Sequence, residues 1–127
     1  MIAQRGDARP AITGPVNPPD APATAPTAPL ATIYVQVANE AQRREWQQHS
    51  EVARELGYVV PGIEVVGSRA PDRTEVRYFR DTGEERRLAE QLVASLKERT
   101  ATEAVARYVR GFEGKTRPRT LELWVAP

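Results

Sequence analysis

Hydrophobic and polar residues alternate along residues 32–38, where Ile33, Val35 and Val37 occupy every second position. An alternation with a period of two is typical of a β-strand that buries one face and exposes the other. The pattern therefore predicts a first strand that has Ile33, Val35 and Val37 on its inner face.

The apolar spacing changes to three and four residues after Asn39. Asn39 and Gln42 have the residue types and spacing of a helix N-cap with a capping box. Apolar residues then recur on one stripe as far as Leu56, as expected of an amphipathic helix. Gly57 follows at the position where helices commonly end in a left-handed turn. The pattern predicts a helix between Asn39 and Gly57.

The same two patterns repeat through the rest of the chain. Strand-like patterns return in four segments: residues 63–66, 74–80, 105–110 and 120–125. Thr82 and Glu85 form a second capping-box pattern, which predicts a helix through about Arg99, and residues 111–118 predict a long hairpin loop. This order predicts an α+β domain, a ferredoxin-like split β-α-β-β-α-β sandwich with an extra C-terminal strand, whose two helices cover one face of an antiparallel sheet.

The composition changes sharply at residue 32. Residues 1–31 hold seven of the eleven prolines, separated mostly by Ala and Thr. A segment with so little to bury is expected to be extended and disordered. The prediction is a disordered Pro/Ala/Thr-rich linker or tail over residues 1–31, followed by a single α+β domain over residues 32–127. A tether to another module and a dispensable tail are both consistent with this composition.

The composition also narrows the classes of function. A formal net charge of +1 argues against duplex nucleic acid held by a strongly basic surface. The chain has no cysteine, which excludes thiolate metal sites and cysteine nucleophiles. His49 is the single histidine, and no glycine-rich phosphate-binding motif occurs. The prediction is a protein that is not an enzyme and uses no cofactor or metal.

Two further features of the sequence bear on where the protein is located in the cell. No apolar run is long enough to span a membrane, and no apolar core of a signal peptide follows the first seven residues. The expected location is the cytoplasm, or the cell envelope if the chain belongs to a longer exported protein.

Strand alternation also assigns an outer face to the sheet, opposite the predicted helices. Five residues of that face are candidate ligand-binding residues: Tyr34, Gln36, Arg77, Phe79 and Trp124. Exposed aromatic rings beside an amide and a guanidinium suit a sugar face, a peptide or a second copy of the sheet. The alternative is that the tail or the hairpin loop folds over this face.

Positive residues concentrate near the C-terminus and form a second candidate site. Arg107, Arg110, Arg117 and Arg119 lie near Tyr108 in the sequence. Arginines interleaved with aromatic residues on a sheet are one means of holding single-stranded nucleic acid. A basic hairpin without a ligand is the alternative interpretation.

Two segments carry a resemblance to known families. The sequence Tyr-Val-Gln-Val at residues 34–37, with a capped helix ending in Glu-Leu-Gly-Tyr at residues 55–58, resembles the opening of a SPOR domain. The strand at residues 76–79 and the Leu/Ala-patterned helix at residues 88–92 are similar to the C-terminal domain of LytR-type cell-wall proteins. The likeness spans roughly residues 32–110. It departs from the SPOR pattern at residues 38–40, where Ala-Asn-Glu replaces the usual Gly-Ser/Ala-Phe.

The resemblance implies a bacterial cell-envelope module that binds glycan strands of peptidoglycan stripped of stem peptides, through its outer sheet face. By that likeness, Tyr34, Gln36, Arg77 and Phe79 occupy the matching strand positions. We therefore expect a non-catalytic binding module whose partner is a peptidoglycan glycan. A protein-interaction or self-association domain and a single-stranded nucleic-acid binder are the two alternative hypotheses.

Overall fold

The computed structural model describes residues 29–127, which form one sheet with two helices packed on it. The predicted strands and helices are all present, with ends within two residues of the predicted ones. In chain order the elements are β1 (Thr32–Val37), α1 (Glu40–Glu55), β2 (Ile63–Val65), β3 (Glu75–Tyr78), α2 (Gly83–Thr100), β4 (Val105–Tyr108) and β5 (Thr120–Trp124).

The folded part extends slightly beyond the predicted boundary at its N-terminal end. Residues 1–28, most of the predicted linker, lie outside the described residues. Ala31, the last residue of that predicted linker, is buried in the core. The backbone N–H of Leu30 donates to the carbonyl of Gly57 over 2.9 Å. Leu30 and Ala31 therefore belong to the domain.

The sheet has the strand order β2-β1-β5-β3-β4. β1 pairs in parallel with β2 and with β5, β3 pairs in parallel with β4, and only β3 and β5 are antiparallel. The α+β class and the two helices are confirmed, but the sheet is mixed and the predicted antiparallel sheet is wrong. The ferredoxin-like order is not confirmed, because each β-α-β unit keeps its two strands adjacent instead of splitting them.

The last strand has a central position that the sequence pattern did not indicate. β5 lies between the two β-α-β units and pairs with β1 on one side and β3 on the other. The predicted hairpin of β4 and β5 is wrong, because β3 lies between these strands. The connection between them, residues 109–119, must therefore pass the end of β3, and we call it the strap.

Both helices pack on the inner face of the sheet and form one core with it. α1 contributes Trp46, which is 4% exposed, and α2 contributes Leu92, which is 2% exposed. The inner residues of β1 and β5, among them Ile33 and Leu121, belong to the same cluster. Full burial of a large apolar side chain contributes about 1.5–3 kcal/mol, so this cluster is the main source of stability. No helix within residues 29–127 has the length and apolar character needed to cross a membrane.

Both N-caps follow the sequence pattern, but the return contacts differ: the Gln42 side chain accepts from the backbone N–H of Ala38, one residue before the cap. The side chain of Asn39 accepts from the backbone N–H of Gln42, and that of Thr82 accepts from the N–H of Glu85. The carboxylate of Glu85 does not return to its own cap, as a capping box would require. It is buried and accepts from the backbone N–H of Arg119 over 2.6 Å. Glu85 thus fastens the start of α2 to the end of the strap.

Candidate functional site

The strand register places the predicted outer-face residues in two neighbouring rows. In one row Tyr34 on β1 lies beside Glu122 on β5, which lies beside Arg77 on β3. In the other row Gln36 on β1 lies beside Trp124 on β5. Four of the five predicted ligand-binding residues therefore share this face, as the alternation predicts.

Arg77 and Trp124 are engaged with each other and with acidic neighbours. The guanidinium of Arg77 lies 4.3 Å from the ring centroid of Trp124, in a cation–π contact, and its Nε donates to Glu75 over 2.8 Å. Arg107 also donates to Glu75, over 3.2 Å. The indole N–H of Trp124 donates to Glu122 over 2.8 Å. These contacts form a polar network on β3, β4 and β5.

The charge of Glu75 is held by this network. Burial alone would raise the pKa of Glu75, but hydrogen bonds from Arg77 and Arg107, together with their positive charges, outweigh that effect and lower the pKa below its ordinary value. Glu75 is therefore ionised at neutral pH and keeps both guanidinium groups on the sheet. On β3 and β4, the side chains of the outer face bind one another and cover the sheet.

The strap covers the end of β3 on the outer face. Phe79, the fifth predicted ligand-binding residue, is only 5% exposed and packs against Phe112 of the strap. One Nη of Arg80 donates to the carbonyls of Glu113 and Thr116, over 3.1 and 2.8 Å. Phe79 therefore anchors the strap instead of presenting a ring to a ligand.

An open groove lies between the strap and the outer face of β1 and β5, and we call it the outer groove. Its volume is about 380 Å³. The floor and the strap supply its lining residues: Tyr34, Gln36, Thr120 and Glu122 from the strands, and Lys115, Thr116 and Arg117 from the strap. Two predicted site residues, Tyr34 and Gln36, thus lie in a real concavity, which is the candidate functional site.

Tyr34 and Gln36 give the outer groove an aromatic ring and an amide. Tyr34, the third residue of β1, is 43% exposed although its strand is paired on both edges. Gln36 is only 8% exposed, and its Oε1 accepts no hydrogen bond from the described residues. A buried amide oxygen without a donor is unfavourable. This oxygen is itself buried, so the Gln36 side chain must turn before a ligand hydroxyl or N–H can donate to it.

The wall formed by the strap is positively charged. Lys115 and Arg117 are exposed at the outer groove, opposite Glu122 on the floor. Glu122 already accepts from the indole of Trp124, so its charge is partly engaged on the far side. The groove therefore offers two cationic groups and one partly engaged carboxylate, a balance that favours a ligand with an anionic group.

The four arginines of the predicted basic site do not converge. Arg107 binds Glu75 on the sheet. Arg119 pairs with Glu84 at the start of α2 and also donates to the carbonyl of Pro29. Arg110 is exposed where the strap begins, and Arg117 faces the outer groove. The strap and the strand order separate these residues, which are close only in the sequence.

Several residues that contribute to this face were outside the sequence-predicted site. Glu75 holds the polar network, Arg80 holds the strap, and Thr116 lines the groove. Their roles depend on β3 pairing with β4 and on the strap crossing β3. These roles can be recognised only once the strand order is known, and no pattern in the sequence identifies them.

The acidic side chains and the single histidine do not assemble into a metal site in the described part of the chain. Residues 29–127 contain no group of three or more His, Cys, Asp or Glu side chains placed to hold a metal ion. His49 packs edge-on against Trp46, with ring centroids 4.7 Å apart, and lies 3.5 Å from Glu45. No family model, curated protein or solved structure matches the chain.

Proposed function

We propose that this chain is a non-catalytic binding module that holds a glycan strand of peptidoglycan in the outer groove. The observation that carries the proposal is that an exposed Tyr34 ring and the amide-bearing Gln36 line one concavity, whose wall on the strap carries Lys115 and Arg117. The proposal rests on the chemistry of this groove and does not require the ferredoxin-like strand order.

The groove and a glycan strand have complementary groups. An aromatic ring presents an apolar body to the C–H face of a sugar and keeps its hydroxyl in water. The amide of Gln36 suits hydroxyl and N-acetyl groups, which carry both donors and acceptors.

Lys115 and Arg117 favour one form of this glycan. When the stem peptides are removed from peptidoglycan, each lactyl group ends in a free carboxylate. A carboxylate beside two cationic side chains gains charge-assisted hydrogen bonds, which are stronger than neutral ones. An intact stem peptide would replace that charge with an amide and add bulk at the strap. The proposed ligand is therefore the glycan strand without stem peptides.

The two alternative hypotheses have less support from the arrangement of residues. Strand addition along residues 120–125 would need a free edge, but both edges of β5 are paired with β1 and β3. Single-stranded nucleic acid would need converging arginines and stacked aromatic rings. Arg107 and Arg119 instead contact carboxylates, and Arg77 already covers one face of Trp124.

The test is co-sedimentation of the full 127-residue chain with purified bacterial sacculi, intact and after amidase treatment. The proposal expects the chain to pellet with treated sacculi and to remain largely in the supernatant with intact ones. Tyr34→Ala should abolish pelleting. Its matched control is Val105→Ala, since Val105 is also an exposed apolar residue and lies on β4 away from the groove.

A second pair of variants tests the charge at the strap. Lys115→Gln with Arg117→Gln should weaken pelleting and remove most of its dependence on salt. Arg44→Gln, an exposed change on α1, should leave both unchanged. If the wild-type chain stays in the supernatant with both kinds of sacculi, the glycan proposal is wrong.

A further inference from the structure

A second groove adjoins the outer groove on the other side of Tyr34. It lies between β1 and the chain that leads into β2, has a volume of about 300 Å³, and we call it the edge groove. Tyr34 and Gln36 line both grooves. The exposed ring of Tyr34 therefore stands between two concavities that together cross β5, β1 and β2.

Gly62 lines the edge groove and adds no side chain to it. The parallel register pairs Val35 with Ile63 and Gln36 with Glu64. Alternation along this segment therefore assigns position 62 to the outer face, next to Tyr34. A Cβ atom built on Gly62 meets no other atom within 4 Å. Almost any side chain at this position would project into the space beside the Tyr34 ring.

The backbone at Gly62 does not itself need glycine. The glycines with positive φ are Gly57, Gly67 and Gly111, and Gly62 is not among them. Neither backbone geometry nor close packing of the described residues therefore requires a glycine there. Because Gly62 has no side chain, the surface beside the Tyr34 ring stays open.

We propose that the two grooves are consecutive subsites for one extended ligand, with Tyr34 between them and Gly62 as the residue that keeps the second subsite open. This inference rests on the proposed function and specifies its ligand as a polymer that spans at least two repeats. The subsites differ in charge. Lys115 and Arg117 border the outer groove, whereas Glu64 borders the edge groove and lies 3.7 Å from Arg69.

This difference in charge constrains how the repeat lies in each subsite. A carboxylate of the ligand is favoured at the strap and disfavoured beside Glu64. The repeat in the edge groove should therefore present its neutral hydroxyl and acetamido groups there. Pro61 and the face of Tyr34 supply the apolar part of that contact.

The experiment measures the affinity of the full chain for purified glycan fragments of one and two disaccharide repeats, free of stem peptides, by isothermal titration calorimetry. A single-subsite protein gains only about twofold from the second repeat, because the longer ligand offers two equivalent registers. Two subsites predict a larger gain, on the order of tenfold.

The decisive variant is Gly62→Leu, which fills the edge groove. It should reduce the gain from the second repeat to about twofold and leave the affinity for one repeat unchanged. Gly62→Ala should have an intermediate effect. Gly83→Leu is the matched control, because an added Cβ also meets nothing within 4 Å there and Gly83 opens α2 on the opposite face.

Failure of the second subsite and failure of the proposed function give different results in these experiments. If the wild-type chain binds the two-repeat fragment and a well-folded Gly62→Leu variant binds it equally well, the second subsite is wrong and the proposed function stands. If Gly62→Leu does not fold, an undiminished gain in Gly62→Ala overturns the second subsite in the same way. If the wild-type chain binds neither fragment, the proposed function is wrong and the two-subsite ligand fails with it.

Discussion

The ring of Phe79 packs edge-on against the ring of Phe112, with centroids 5.8 Å apart and planes inclined by 69°. Phe79 directly follows β3, and Phe112 belongs to the strap, 33 positions later in the chain. The contact exists because the strap must pass β3 to deliver β5 to the centre of the sheet. The same crossing brings Lys115 and Arg117 to the outer groove, so the strand order and the candidate site have one cause.

Arg80 is predicted to keep the strap in place. Arg80→Ala removes two hydrogen bonds from a guanidinium to strap carbonyls, and we expect it to lower the free energy of unfolding by about 1–3 kcal/mol. Amide hydrogen exchange should accelerate across residues 111–118 more than elsewhere, because the loss is local. Arg110→Ala, an exposed change on the same segment, should do neither. Unchanged exchange in Arg80→Ala would show that the strap is held by other contacts.

Glu85 is predicted to be the main buried polar link between α2 and the strap. Glu85→Ala leaves the N–H of Arg119 without its acceptor, and we expect a loss of about 2–3 kcal/mol in chemical denaturation. Glu85→Gln retains an acceptor oxygen and should lose less. Glu84→Ala removes only an exposed ion pair with Arg119, which is worth no more than about 1 kcal/mol. Equal losses in the two alanine variants would contradict this assignment.

Glu75 should make stability depend on pH in a definite direction. Its pKa is lower in the folded chain than its ordinary value of 4.5, so the folded state favours the ionised form. The stabilisation is complete above about pH 4.5 and is lost as the pH falls through the lowered pKa. The difference in unfolding free energy between the wild type and Glu75→Gln, on the order of 1 kcal/mol at pH 7, should therefore shrink towards pH 3. A difference that stays constant with pH would be inconsistent with a lowered pKa.

Removal of residues 119–127 should unfold the domain. β5 holds the two β-α-β units together, and its Leu121 and Leu123 are 0% and 2% exposed. Losing two buried leucines alone costs about 4–10 kcal/mol, which is comparable to the total stability of a small domain. Circular dichroism should show loss of native structure, whereas removal of Pro127 alone should not. A truncated chain that keeps a folded spectrum would contradict this central role of β5.

The sequence was sufficient for the elements and for the face on which each side chain lies. Alternation placed Ile33 inside and Tyr34 outside, and the caps at Asn39 and Thr82 marked both helix starts correctly. These features are local, because they depend on residues within one strand or one helical turn. The predicted α+β class followed from them.

The strand order was not accessible in the same way. Alternation determines which face is buried but not which edge of a strand meets which neighbour. The β-α-β-β-α-β order is shared by split and unsplit arrangements, and β5 carries no local sign that it is central. The burial of Phe79 and the link between Glu75 and Arg107 both depend on that order, so neither could be predicted from the residues alone.

Glycan binding in the outer groove is tested most directly by titrating the ¹⁵N-labelled full chain with soluble glycan strands free of stem peptides, followed by two-dimensional NMR. We expect saturable shifts at Tyr34 and Gln36 and along Lys115–Arg117, with residues around Glu75 and Arg107 unaffected. Absence of shifts, or shifts centred on β3 and β4, would contradict it, because the outer groove would then not be the surface that binds glycan.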